Sequence, residues 1–239
     1  GEECDCKNVT TIRLMAENLG QLHSSLQNFY EEPVLLQQPL LSRYDKHNRE
    51  MKHVYGYMRG KKKKTEFERY AMQCFPNFYE RAMQVRSQLS ENLYYKEHSG
   101  QTKDVCHGEY NYHNLLLTKS GLATTNFEHA APGVQLLDMA YFMRKVMEKN
   151  KWQVEKGVVL WNGYCEGAGC SKKELEFLIT ILSYPIKYWK LLNQYINSKK
   201  TWISNKSMEK LKAVCEQEES KDKFLQRMRT FTLGTSQKA

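Results

Sequence analysis

Apolar residues recur at intervals of three and four through most of the chain, the period of one helix face. Between Asn8 and Phe29 that face is Ile12, Met15, Leu19, Leu22 and Leu26, with Asn8 or Thr10 as the expected cap. The segment "EEPVLLQQPLL" at 31–41 carries two prolines and predicts an extended connection. A second periodic stretch runs from Leu40 through Tyr44, His47, Met51, Val54, Tyr55 and Met58 and stops near Gly60. A third holds Phe67, Tyr70, Cys74, Phe78, Ala82, Val85 and Leu89, with a kink expected at Pro76. These two helices are expected to pair antiparallel across the turn between them.

The period then changes. "DVCHGEYNYHNLLLT" and "GLATTNFEH" are short, apolar and bounded by Gly, Asn and charge, which predicts brief strands around a loop. They are expected to be the only strand-like part of the chain. After "APG" at 131–133 the helical period returns, with one face of Leu136, Met139, Ala140, Met143, Val146 and Met147, and another of Val154, Val158, Trp161 and Cys165. Ser171 and Glu174 have capping-box spacing and open an apolar helix through Leu175, Leu178, Ile179, Leu182, Ile186 and Trp189. A charged last helix is expected from about Ser207 to Phe231. The chain therefore predicts a helical lobe with a small hairpin mounted on it.

Composition narrows the function classes. Hydrophobic residues make up 41% and charged ones 26%, with no run of eighteen apolar residues, so a spanning helix is not expected and a packed core is. The first residues lack an initiator Met, a basic stretch and an apolar stretch; no signal peptide is read there, and the chain is expected to be a piece of a longer one made in the cytoplasm. Seven cysteines, an odd number at irregular spacings in a chain too long to need staples, read as reduced thiols, and neither Cys4 with Cys6 nor Cys165 with Cys170 has the zinc-knuckle spacing of a metal site. Lys and Arg exceed Asp and Glu by nine, densest at Lys61, Lys62, Lys63 and Lys64. Those four lysines are either a solvated junction between helices or a contact for a polyanion. No aromatic residues interleave with them, so specific nucleic-acid binding is not expected.

The chemistry sits in "HGEYNYHN" at 107–114. Protein kinases carry H-R-D, four residues, then Asn, followed by an Asp-Phe-Gly whose Asp holds magnesium. Here His107, Gly108 and Glu109 are followed by four residues and Asn114, and Asn126-Phe127-Glu128 comes twelve residues beyond Asn114. The arrangement is that of a kinase site with Glu in place of one Asp and Asn in place of the other. Glu109 sets its carboxylate outward by one methylene, about 1.5 Å, and a misplacement near 1 Å can cost about a hundredfold in rate. Asn126 presents an uncharged oxygen where magnesium ordinarily meets a carboxylate. Glu128 is a candidate compensating ligand. His107 reads either as a backbone-bonded loop residue or as a support of the site, whereas His113 and His129 read as exposed or satisfied histidines.

Gly in place of Arg in that first motif resembles the aminoglycoside and choline phosphotransferase clan, and the chain as a whole resembles the C-terminal lobe of its CotS-type spore-coat branch. "GEECDCKN" is similar to the hinge between the lobes, "NLGQLHSSL" to the first helix of the lobe, and "CHGEYNYHN" with "ATTNFEH" to the branch's active-site pair. "LLDMAYFMRKVM" is similar to the helix whose Asp, here Asp138, supports the catalytic loop.

The resemblance implies a mainly α fold, the C-lobe of a protein-kinase-like phosphotransferase whose short β-hairpin carries the relic of a catalytic loop. Residues 1–7 would be the hinge remnant and 8–239 the lobe, with the nucleotide-covering N-lobe outside this chain. The site would draw on Glu109, His107 and Asn114, with Asp138 in structural support, Glu2 and Glu3 at the nucleotide hinge, and Asn114, Asn126 and Glu128 as metal ligands. ATP and Mg2+ would be used only by an active form joined to its N-lobe; no G-x-G-x-x-G occurs here. The joint replacement at Glu109 and Asn126 adds the expectation of a catalytically impaired pseudokinase, and the resemblance further implies a role in the sporulation programme, in coat assembly through contacts with spore-coat proteins, with deposition in the coat. The alternative it leaves open is an active small-molecule or sugar phosphotransferase with Glu109 as base.

Overall fold

A computed structural model describes residues 2–36, 39–119, 121–198 and 205–230. The strand β1 (Glu2–Glu3) leads into α1 (Val9–Ser25), whose start is set by the Asn8 side chain accepting from the Thr11 N–H. After the strand β2 (Val34–Leu35), the helices α2 (Leu40–Gly60) and α3 (Glu66–Glu91) form the expected pair. The helix α3 runs unbroken through Pro76. A short helix α4 (Leu93–His98) follows, then the strands β3 (Gln101–Thr102), β4 (Val105–Cys106), β5 (Leu115–Thr118), β6 (Gly121–Thr124) and β7 (Ala131–Pro132). The rest is helical: α5 (Leu136–Lys149), α6 (Val154–Ala168), α7 (Lys172–Ser183), α8 (Ile186–Asn197), α9 (Asn205–Glu216) and α10 (Glu218–Arg229).

The expectation that strands are confined to one insert is corrected. The hairpin β5–β6 gains β1 as a third strand, with Glu2 opposite Leu117 and Glu3 opposite Leu116. A second pair joins β2 to β3, across Val34 and Thr102. Each is only two residues long, so the partner strand and not a local alternation creates it. The expected last helix divides at Gln217 into α9 and α10, and its end at Phe231 lies outside the described residues.

The cysteine expectation is corrected as well. Cys165, in the last turn of α6, and Cys170, just past it, form a disulfide. Gly169 turns the chain with a positive φ of 70°, which brings the two Cα atoms to 5.1 Å, inside the range a disulfide bridges. The other five cysteines form no disulfide, and Cys4, Cys6 and Cys106 are buried.

The core is continuous across the helices and includes Ile12, Met15, Leu19, Met51, Met58, Phe142, Trp161, Phe177 and Tyr188. The tightest contact is between α1 and α6. A Cβ on Gly20 would lie 2.3 Å from the Tyr164 carbonyl oxygen, so the two backbones meet only because no side chain stands between them. That contact holds α1 as a rigid wall behind the loop at 107–114. No helix among the described residues is long and apolar enough to cross a membrane.

Candidate active site

The loop at 107–114 lies between β4 and β5, and the pairing of β4 with β7 closes the base of the whole 107–130 excursion, with Val105 opposite Pro132 and Cys106 opposite Ala131. The β5–β6 hairpin then brings the ends of the two motifs together. The Thr125 backbone N–H donates to the Asn114 carbonyl at 2.9 Å, and the Thr125 hydroxyl donates to the same oxygen at 3.1 Å. Asn126 is the next residue, held in the left-handed region with φ 63° and ψ 64°, and its side chain faces solvent without a capping bond.

Asp138, one turn into α5, braces the start of the loop. Its buried carboxylate accepts the His107 N–H at 2.6 Å and the Gly108 N–H at 3.1 Å. His23 of α1 approaches the same carboxylate at 3.4 Å, and its other ring nitrogen is 2.9 Å from the Tyr164 hydroxyl of α6. Three helices thus converge on one buried acid. His107 is fully buried; its Nδ1 accepts the Glu109 N–H at 3.2 Å, which leaves Nε2–H to donate to the Thr125 carbonyl at 3.0 Å. It therefore ties the first motif to the second, and the ring of exposed Phe127 packs on it at 4.7 Å.

Gly108 is required twice. Its φ is +79°, and a Cβ there would come within 2.1 Å of the His129 carbonyl oxygen, so no side chain fits this position without moving the chain beside it. This accounts physically for glycine where the protein-kinase motif has arginine.

The amide of Asn114 donates to the Glu109 carbonyl at 2.9 Å, as does the amide of Asn111. With its nitrogen so occupied, Asn114 keeps its Oδ1 as the remaining side-chain acceptor. The Glu109 carboxylate is partly exposed and stands 3.6 Å from His129 Nε2. Glu128 is exposed and has no side-chain partner among the described residues. His113 and His129 are both exposed.

The donor set does not fit a magnesium site of the ordinary kind. Such sites use one or two carboxylates with phosphate oxygens, and here the two motif positions, Asn114 and Asn126, are both neutral amides. Among the described residues no group of three or more His, Cys, Asp or Glu side chains is arranged to hold a metal.

Beside the loop opens a cleft of about 690 Å³, rimmed by Gly108 and His129 and floored by residues of α2, α5, α7 and α8. Its size suits a small molecule. The lysine run lies elsewhere, and it is divided in role. Lys61 pairs with buried Glu68 at 2.5 Å, and Lys64 donates to the Lys61 carbonyl at 2.7 Å, so these two close the turn between α2 and α3. Lys62 and Lys63 are exposed, without a side-chain partner among the described residues.

Sequence reasoning did not single out His23, Tyr164 or the cleft residues. His23 was within reach, since it stands four residues after Leu19 on the apolar face of α1, where a histidine needs a buried partner.

The profile of the family described as Spore coat putative kinase YutH matches residues 5–228. An aminoglycoside phosphotransferase from Alicyclobacillus acidocaldarius subsp. acidocaldarius DSM 446 superposes with a TM-score of 0.83 at 18% identity, over 96% of this chain and 68% of that one. An ethanolamine kinase of Plasmodium vivax superposes with a TM-score of 0.49 at 16% identity, over 90% of this chain and 62% of its own. No curated protein matches the chain significantly. At 18% identity the first likeness shows a fold, that of the kinase-like phosphotransferases.

Proposed function

The chain belongs to the spore-coat putative kinase YutH family, and from that premise we propose that it is a kinase-derived coat protein that keeps the frame of a phosphotransfer loop while transferring phosphate poorly or not at all. The observation that carries this reading is Asn126. It occupies the position after the hairpin where a metal-binding acid is needed, in a left-handed turn, and brings no charge. Glu109 adds to the deficit, with its carboxylate one methylene further out and facing His129. The braced loop would then serve as a shaped surface, with coat assembly proceeding through protein contacts at this lobe.

The experiment compares the full-length protein with Glu109→Ala and Asn114→Ala forms, both for incorporation into the coat and for magnesium-dependent ATP turnover. Incorporation unchanged by the substitutions, with turnover at background, is the expected result. Magnesium-dependent turnover that Glu109→Ala abolishes would sink the proposal.

A second reading is favoured by the bond from Asn114 to the Glu109 carbonyl, which sets the loop as a working one would be set. In it Glu109 accepts the proton of an acceptor hydroxyl, and Glu128 contributes the missing carboxylate. This reading requires that Asn126→Asp raise turnover. ATP, the hinge role of Glu2 and Glu3, and any contact of Lys62 and Lys63 with an acidic coat surface are parts of the proposal that the full-length protein must test.

A further inference from the structure

The cleft beside the loop has walls of unusual charge. Arg43 and His47 stand one turn apart on α2, Arg144 projects from α5 and Lys190 from α8, and all four line it together with Tyr44, Tyr95 and Phe177. Asp138 is the one acid among the lining residues, and its oxygens are taken up by backbone N–H groups of the loop. Arg144 is neutralised by Glu148 at 2.6 Å. Arg43 and Lys190 have no acidic partner among the described residues.

Tyr44 stacks on Tyr184, between α7 and α8, at 3.8 Å, and His47 stacks on Trp189 of α8 at 3.5 Å, so α2 is clasped to the start of α8, and Arg43 and Lys190 line a common space. The Trp189 indole is itself anchored by Glu50 at 2.7 Å. His47 Nδ1 is buried without a hydrogen-bond partner among the described residues. Burial lowers the Lys190 ammonium's pKa, and nearby Arg144, Lys187 and Lys145 lower it further, while Glu148 acts in the opposite direction.

We propose that this cleft binds an anionic small molecule with a ring or apolar body and a free hydroxyl, and that Arg43 and Lys190 select it by its acid group. The inference deepens the reading of a kinase-derived site, because it assigns the cleft rimmed by Gly108 and His129 to the acceptor side of the loop. Aminoglycosides, for which the neighbour with a TM-score of 0.83 is named, are cations. Two unpaired cations in the cleft repel such molecules and attract their acidic counterparts.

The test uses the full-length protein without nucleotide, so that it does not depend on phosphate transfer. The probes are 4-hydroxyphenylacetate and tyramine, which share a phenol body and differ in the sign of their charge. Binding is followed by ligand line broadening in NMR titrations at millimolar concentration. The acid is expected to bind at least about tenfold more tightly than the amine, and the Arg43→Glu, Lys190→Glu double variant is expected to reverse that order. Should the double variant not fold, Arg43→Gln and Lys190→Gln singly must each lower the ratio. Equal binding, preference for the amine, binding of neither probe, or an order unchanged by the substitutions would overturn the proposal. A preference for the acid in a protein that never binds magnesium-ATP would leave this inference standing and count against the second reading alone.

Discussion

Asp138 Oδ2 lies 2.6 Å from the backbone nitrogen of His107, thirty-one residues away along the chain, and this bond sets where the loop begins. The same carboxylate holds the Gly108 N–H, and burial leaves it no water to fall back on. Replacing it with Asn keeps the size but can turn an N–H donor toward one of the loop N–H groups. Asp138→Asn is expected to cost about 1–3 kcal/mol in urea unfolding, and Asp138→Ala about 2–4 kcal/mol because both N–H groups lose their acceptor. Equal stability of all three proteins would mean that the loop is held by other contacts.

Gly108 makes a second, steric prediction. Its left-handed backbone alone costs a non-glycine residue about 1–2 kcal/mol, and the His129 carbonyl stands in the way of any Cβ. Gly108→Ala is therefore expected to destabilise by at least about 2 kcal/mol. Gly56, exposed in α2 with open space around it, is the contrast. Gly56→Ala should stabilise by up to about 1 kcal/mol through helix propensity. A chemical denaturation series on the three proteins decides whether position 108 or glycine in general is the cause.

Much of the frame was legible because its signals are local. The apolar faces of α2 and α3, the Asn8 cap and the Ser171–Glu174 capping box are all present where their spacing places them. A second box, Thr65 with Glu68, uses the same spacing and starts α3 directly after the lysine run. The six-residue α4 is too short to show a period, and β1, β2 and β3 exist only through partners distant in sequence. The site divides in the same way. The interval from Glu109 to Asn114 and on to Asn126 pointed to the loop, since a hairpin joins those residues within one stretch of chain. The His23–Tyr164–Asp138 network and the cationic cleft are assembled from α1, α2, α5, α6 and α8, and no spacing rule connects such residues.

His47 gives a pH prediction. Burial, opposed by Glu50 and reinforced by Arg43, Lys46 and Lys190, pushes its imidazole down to about 4 from an ordinary 6.5. Between those values the unfolded chain binds a proton that the folded chain refuses, so stability is full above pH 6.5 and falls as the pH drops toward 4. Because His47 is partly exposed, the loss is expected to be about 1–2 kcal/mol and not the full value of the shift. His47→Phe preserves the stack on Trp189 while removing the titration. Its stability relative to wild type should therefore rise by that amount between pH 6.5 and 4, and a difference independent of pH would rule the group out.

Asn126 offers the most direct access to the question of catalysis. It follows Thr125, whose N–H is bonded to the Asn114 carbonyl, and its φ of 63° belongs to a region that Asn and Asp share as the non-glycine residues able to enter it. Asn126→Asp should therefore leave the fold within about 0.5 kcal/mol of wild type, as an exposed substitution compatible with its backbone. What changes is charge, placed at the motif position that follows the hairpin. If the missing carboxylate is what limits the site, ATP with magnesium will stabilise the full-length Asn126→Asp protein more than wild type. Each tenfold gain in affinity adds about 1.4 kcal/mol at saturating ligand, which is about 3–6 °C for a domain of this size. A gain that requires magnesium, lost again in Asn126→Asp combined with Asn114→Ala, places the metal between these two residues. A gain without magnesium, or none, means that the loop has lost more than one charge, and that its shape is kept for contacts other than nucleotide.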